Sequence, residues 1–162
     1  MTEVELSRLL SELSTTAATL NRESDSINAI IEGLEERLRA LNVGLEVWVD
    51  DDPLESEATE GEGRNGERYE TGTIDGELGF TKLGGVWRLA VRTATYKYDD
   101  PDHAPGYQNP RFKSATGAIE LSECPRKLRI EALERFPKLV AAMKMAAEAA
   151  VKAIEAAKKF TK

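Results

Sequence analysis

The chain has 162 residues, 41% of them hydrophobic, and carries 29 acidic against 22 basic side chains for a formal charge of −7. That length accommodates one domain with a real core but not two, and the negative balance argues against broad binding to the backbone of duplex nucleic acid. The start lacks a basic segment leading into an apolar one, and no apolar run reaches about 18 residues, so neither export nor membrane spanning is expected and the cytoplasm is the expected location.

The opening segment is dominated by a stripe of residues at alternating spacings of four and three: Leu6, Leu10, Leu13, Ala17, Leu20, Ser24, Ile27, Ile31, Leu34, Leu38 and Leu41. This heptad pattern predicts one long helix over 1–42. At 1.5 Å per residue its stripe-bearing part is about 57 Å long, whereas a compact domain of this size is only roughly 40 Å across. Something has to cover the excess. The pattern therefore predicts a helical partner, from this chain's own C-terminus or from a second copy. The leading expectation is self-association, as a homodimer above all, through Leu10, Leu13, Leu20, Ile27, Ile31, Leu34 and Leu38. The polar stretch Asn21 to Ser26 is the one place where a kink or a restart of the helix fits the residues.

Residues 44–121 read as an antiparallel sheet of four to five strands. Leu45, Val47 and Val49 alternate with Glu46 and Trp48, the period of a half-buried strand. Residues 50–67 then gather acidic side chains and Gly61, Gly63 and Gly66, a composition that predicts a flexible acidic loop. Asp75-Gly76 and Gly84-Gly85 are both two-residue hairpin signals. Counting outward from Gly84-Gly85 sets Leu83 against Val86, Phe80 against Leu89, Leu78 against Val91 and Glu77 against Arg92, the last as a cross-strand ion pair. Counting from Asp75-Gly76 sets Thr73 against Leu78. A long strand from Val86 to Tyr98 follows, then a Pro- and Asp-rich segment, then a strand over 114–121 with Ile119 and Leu121 on one side.

The end of the chain, 122–160, predicts helices. Ser122 suits a helix cap and Pro125 its first turn. Pro137 predicts a stop near Arg135 and a second helix beginning at Pro137 itself. That helix carries Leu139, Met143, Ala146, Ala150, Ile154 and Ala157 as a shallow stripe on which a leucine ridge could lie closely. The fold class expected is α+β, a single domain whose terminal helices pack together on one sheet face.

Chemistry-bearing residues are few. Arg88, Arg92, Tyr96 and Tyr98 share the outer face of the long strand with Trp48 beside them, and His103 and Arg111 lie in or just beyond the segment that would overhang it. Two guanidinium groups four residues apart on a strand are about 13 Å apart, which suits two separated anionic groups, as in a nucleotide-like ligand. Asp99, Asp100, Asp102 and His103 are metal- or base-type residues, but their spacing fits no standard site. The single cysteine, Cys124, rules out an internal disulfide and a cysteine-built zinc cluster. There is no glycine-rich phosphate loop, no strained Gly-x-Ser-x-Gly turn and no histidine pair. No cofactor or metal is expected, and nothing specific supports an enzyme. The leading expectation is an interaction or assembly module that self-associates through its first helix and engages a further protein. A binder of small anions through the Arg/Tyr face comes second, ahead of an acidic inhibitor acting through 50–62 and a hydrolase centred on His103.

Overall fold

The computed structural model describes residues 1–98 and 110–161. Helix α1 runs unbroken from Glu3 to Leu41. Thr2 caps it: its hydroxyl accepts from the Glu5 N–H at 3.3 Å, and the Glu5 carboxylate accepts from the Thr2 N–H at 2.7 Å. The backbone N–H of Thr2 first, then its hydroxyl donating to the same carboxylate at 3.1 Å, hold the Glu5 carboxyl below its ordinary pKa. Asn42 ends the helix in the left-handed region at φ 51°. The helix does not restart at Asn21 to Ser26, and Ser24 is buried on the stripe, its hydroxyl without a hydrogen-bond partner among the described residues.

The sheet contains β1 (Val47–Trp48), β2 (Glu55–Glu62), β3 (Arg68–Leu83), β4 (Val86–Tyr98), β5 (Pro110–Ala115) and β6 (Ile119–Glu120), all pairs antiparallel. β1 and β2 share one edge of β3, while β5 and β6 share the far edge of β4. The Gly84-Gly85 turn has both glycines at positive φ, and the register counted from it holds throughout, with Phe80 opposite Leu89, Leu78 opposite Val91 and Glu77 opposite Arg92. The protein is thus α+β, with an antiparallel sheet between a long N-terminal and a long C-terminal helix.

Four local expectations are corrected. The acidic segment 50–67 is not a loop throughout: β2 pairs along the first half of β3, through a turn in which the Gly63 N–H reaches the Glu67 carbonyl at 2.8 Å and Gly66 takes φ 77°. Its polar composition suits a strand that stays largely exposed, and side-chain bonds reinforce the ladder, Ser56 to Asp75 at 2.6 Å and Thr59 with Thr71 at 2.9 Å. Asp75-Gly76 is consequently not a turn, because both residues are already paired, Asp75 between Ser56 and Ala94 and Gly76 between Glu55 and Thr93. The strand expected over 114–121 is divided into β5 and β6, leaving Ile119 exposed while Leu121 is buried in a short 3-10 turn.

The fourth correction concerns the C-terminus, where a single helix α2 runs from Arg126 to Lys158 with Pro137 inside it and Pro125, not Ser122, at its cap. A proline in a helix costs one backbone bond and some strain. Here Ala132 before it and Leu139 and Met143 after it are buried in one core, so tertiary packing holds both halves in line.

That core lies between the helices and the inner sheet face: Ile27, Ile31 and Leu38 of α1, Leu139 and Met143 of α2, and Leu78, Phe80, Leu89 and Val91 of the sheet. Phe80 and Trp87 stack with centroids 5.5 Å apart. Both helices run toward the Gly84-Gly85 end. Along α1, Asn28 meets Arg129, Glu35 meets Leu89, and Arg39 meets the Trp87 carbonyl at 3.0 Å. Along α2, Lys127 meets Glu55, and Arg135 and Lys138 then meet Asp52, which precedes β2 and follows β1. The parallel course means that the start of α1 and the end of α2 leave the body at opposite ends.

Candidate functional site

The outer sheet face is organised around Glu77, fully buried at 0% exposure. Its carboxylate accepts from Arg92 Nε at 2.8 Å and from the Tyr96 hydroxyl. The Arg92 guanidinium also lies over the Trp48 ring, 4.4 Å from its centroid, and 5.3 Å from the centroid of Phe112, which meets Tyr96 edge-on at 5.9 Å. The indole can lie this low because residue 79 is glycine: a Cβ there would come within 2.2 Å of the Trp48 ring. Glu46 completes the cluster by accepting from Trp48 Nε1 at 2.8 Å and from the Thr81 hydroxyl. Those two bonds, Thr81 foremost, hold the Glu46 carboxyl below its usual pKa.

Beside the cluster is an open cavity of about 290 Å³ lined by Asp50, Thr73, Asp75, Tyr96, Tyr98 and Pro110. Among the described residues its ionisable lining is two carboxylates and two phenols, with no guanidinium. Burial first, then the hydrogen bond to Glu77, raises the Tyr96 hydroxyl above the ordinary tyrosine pKa of 10.0. A folded-state pKa above the unfolded value stabilises the fold fully below that unfolded value, and the contribution is lost as pH rises past it. Alkaline titration followed by tyrosine absorbance is therefore expected to show a phenol fraction that stays un-ionised at about pH 11 while the fold persists. Tyr96→Phe should remove that fraction. A protected fraction that is absent from the still-folded protein, or unchanged in Tyr96→Phe, would contradict the burial of this hydroxyl.

Of the six residues expected to bind a ligand, the structure brings Arg92 and Tyr96 together on Glu77 and puts Tyr98 at the cavity. Arg88 is elsewhere. Its guanidinium wraps the sheet edge to Glu35 of α1 at 3.0 Å, with Glu120 of β6 3.8 Å from its Nε. Glu35, chiefly through its hydrogen bond, raises the Arg88 pKa. The two arginines therefore do not form a pair of outward-facing anion sites. Arg111 is in β5 opposite Lys97, and His103 lies outside the described residues.

Two functional groups are absent from the sequence-based candidates. Glu35 is buried, and its carboxylate also accepts from the Leu89 N–H at 2.9 Å and faces Arg39 at 3.5 Å, so it fastens α1 to the edge of β4 beyond the end of β6. Its place beside Leu34 and Leu38, on the flank of the apolar stripe, is the signal that marks it. Asp52 receives Arg135 at 3.3 Å and Lys138 at 2.8 Å from α2, and the Lys138 bond foremost keeps its carboxyl below the usual range. Among the described residues no cluster of His, Cys, Asp and Glu could hold a metal ion, and no helix is long and apolar enough to cross a membrane.

The seven residues expected to mediate association divide in two. Ile27, Ile31 and Leu38 are buried in this chain's own core, with Leu34 half-buried beside them, whereas Leu20, Leu10 and Leu13 are exposed, the last two at 56% and 62%. All seven lie on one helix face by spacing. From Glu3 to Glu23 every residue of α1 is exposed except half-buried Ala17, so this face runs off the sheet as an unsupported arm. The end of α2 behaves likewise, every residue from Val151 to Thr161 being exposed, among them Val151, Ile154 and Phe160. No protein-family model, no curated protein and no solved structure matches this chain.

Proposed function

We propose that this chain is an assembly module that self-associates through the N-terminal arm of α1, the α/β body serving to hold that arm in place. The observation that carries this reading is the continuity of one apolar stripe. From Ser24 to Leu38 it buries against the chain's own sheet and α2, and from Leu6 to Leu20 the same face is exposed except at half-buried Ala17. An isolated helix of that length is marginal in water even for good helix formers. Exposed leucines in a contiguous row mark an interaction surface. Ligand binding on the outer face has less support, since Arg88 and Arg92 are engaged by Glu35 and Glu77 and the cavity beside them carries aspartates.

Sedimentation equilibrium across a concentration series is the direct measurement. The expected result is a dimer that dissociates on dilution, with helical circular dichroism falling in step as the arms lose their partners. Replacing both Leu10 and Leu13 by glutamate should weaken association on the order of 100-fold or more, because two charges would have to be desolvated in the seam. A wild-type chain that stays monomeric at every concentration, with full helicity, would overturn the reading.

A further inference from the structure

Resting on that reading, we infer that the surface covering each arm is the C-terminal end of α2 of a second copy, and that two such contacts close an antiparallel dimer. Measured from the last buried residue of each helix, Ser24 and Met143, the arm (3–23) is about 31 Å long and the tail (144–161) about 27 Å at 1.5 Å per residue, the tail being wholly exposed from Val151 onward. The arm presents leucines, and the tail presents Ile154 and Ala157, which continue the stripe of half-buried Ala146 and Ala150, Ala146 packing on this chain's own core. Large side chains on one helix against small ones on the other allow close packing.

Charge selects the same pairing. Over its exposed length to Leu20 the arm carries Glu3, Glu5 and Glu12 against Arg8, whereas after Met143 the chain carries five lysines against Glu148 and Glu155. Arm on arm and tail on tail therefore bring like charge together, and arm on tail brings opposite charge together. Laid antiparallel with the tips level, Glu5 falls near Lys159, Arg8 near Glu155 and Glu12 near Lys152.

The fold supplies the orientation. Because α1 and α2 run in parallel across the sheet, the arm leaves one end of the body and the tail leaves the other. A second copy turned by 180° beside the first sets its tail along this arm and its arm along this tail. Both exposed faces are then covered, and the assembly closes without leaving an unpaired end. A head-to-tail alignment could pair the helices only in parallel and would propagate into filaments.

Disulfide capture in full-length chains separates these arrangements. Chains carrying Leu6→Cys and Ala157→Cys, in a Cys124→Ser background and co-expressed under different tags, are expected to form a covalent heterodimer under mild oxidation. Leu6→Cys alone should not cross-link to itself. Cross-linking of Leu6→Cys to its own kind in a dimer would overturn the arm-on-tail contact and leave self-association standing. Capture of Leu6→Cys chains by Ala147→Cys chains, with a ladder of larger species once both cysteines are placed in one chain, would overturn the antiparallel closure, and a monomer would remove the underlying function as well. As an independent reading, Lys158→Glu with Lys159→Glu should weaken the dimer about tenfold at low salt, and Glu3→Lys with Glu5→Lys in the same chain should restore it. Weakening without restoration would overturn the charge pairing.

Discussion

Glu77→Ala is expected to lower the unfolding free energy by about 3–5 kcal/mol, the loss typical of removing one partner from a buried ion pair. The carboxylate is wholly buried and answers both Arg92 and the Tyr96 hydroxyl. Its removal strands a guanidinium held under Trp48 and beside Phe112 and leaves a phenol without its acceptor. Urea denaturation would read the loss as a lower midpoint at unchanged slope. Replacing both Glu77 and Arg92 by leucine should cost less than Glu77→Ala alone, because no uncompensated charge then stays behind. A Glu77→Ala loss under about 1 kcal/mol would mean that water reaches the site and that the outer cluster contributes little.

Glu35→Ala should follow closely, at about 3 kcal/mol, with a more local signature. One buried carboxylate satisfies the Leu89 N–H and faces Arg88 and Arg39, each about a third exposed, so the charge part of the loss is partly screened. Among the described residues the Leu89 amide meets Glu35 at an edge of β4 where β6 pairs only with Ala90 and Val91. Hydrogen exchange there is expected to accelerate on the order of 100-fold, together with the last turns of α1, while amides in the β3/β4 ladder near Leu78 change much less. Uniform acceleration across the sheet would show instead that Glu35 acts on global stability and is not a clasp between α1 and β4.

The reach of sequence reasoning differed from element to element for identifiable causes. The Gly84-Gly85 register was readable because the turn dictates it and the alternation of Leu78, Phe80, Leu89 and Val91 agrees, so two independent constraints coincide. Asp75-Gly76 had turn chemistry of equal strength but no packing to support it, and a partner strand on each side won. The 50–67 segment misled because composition measures what a strand can bury, and β2 buries almost nothing; its pairing comes from the neighbouring edge of β3. Pro137 misled for the opposite reason. Local preference says stop, and the shared burial of Ala132, Leu139 and Met143 overrides it.

The candidate sites divide along the same line. Glu77 opposite Arg92 follows from register, whereas Arg88 reaching Glu35 does not, since those residues are brought together only when α1 crosses the edge of β4. The sequence by itself determined the α+β class, the unbroken first helix with its one-faced stripe, and the pairing of the longest hairpin, because each is set by periodicity or turn chemistry within a few residues. Only the tertiary structure decided where the stripe stops being covered, which arginines are already engaged and that the helices run parallel. Those outcomes depend on contacts between segments far apart in the chain, and no local preference encodes them.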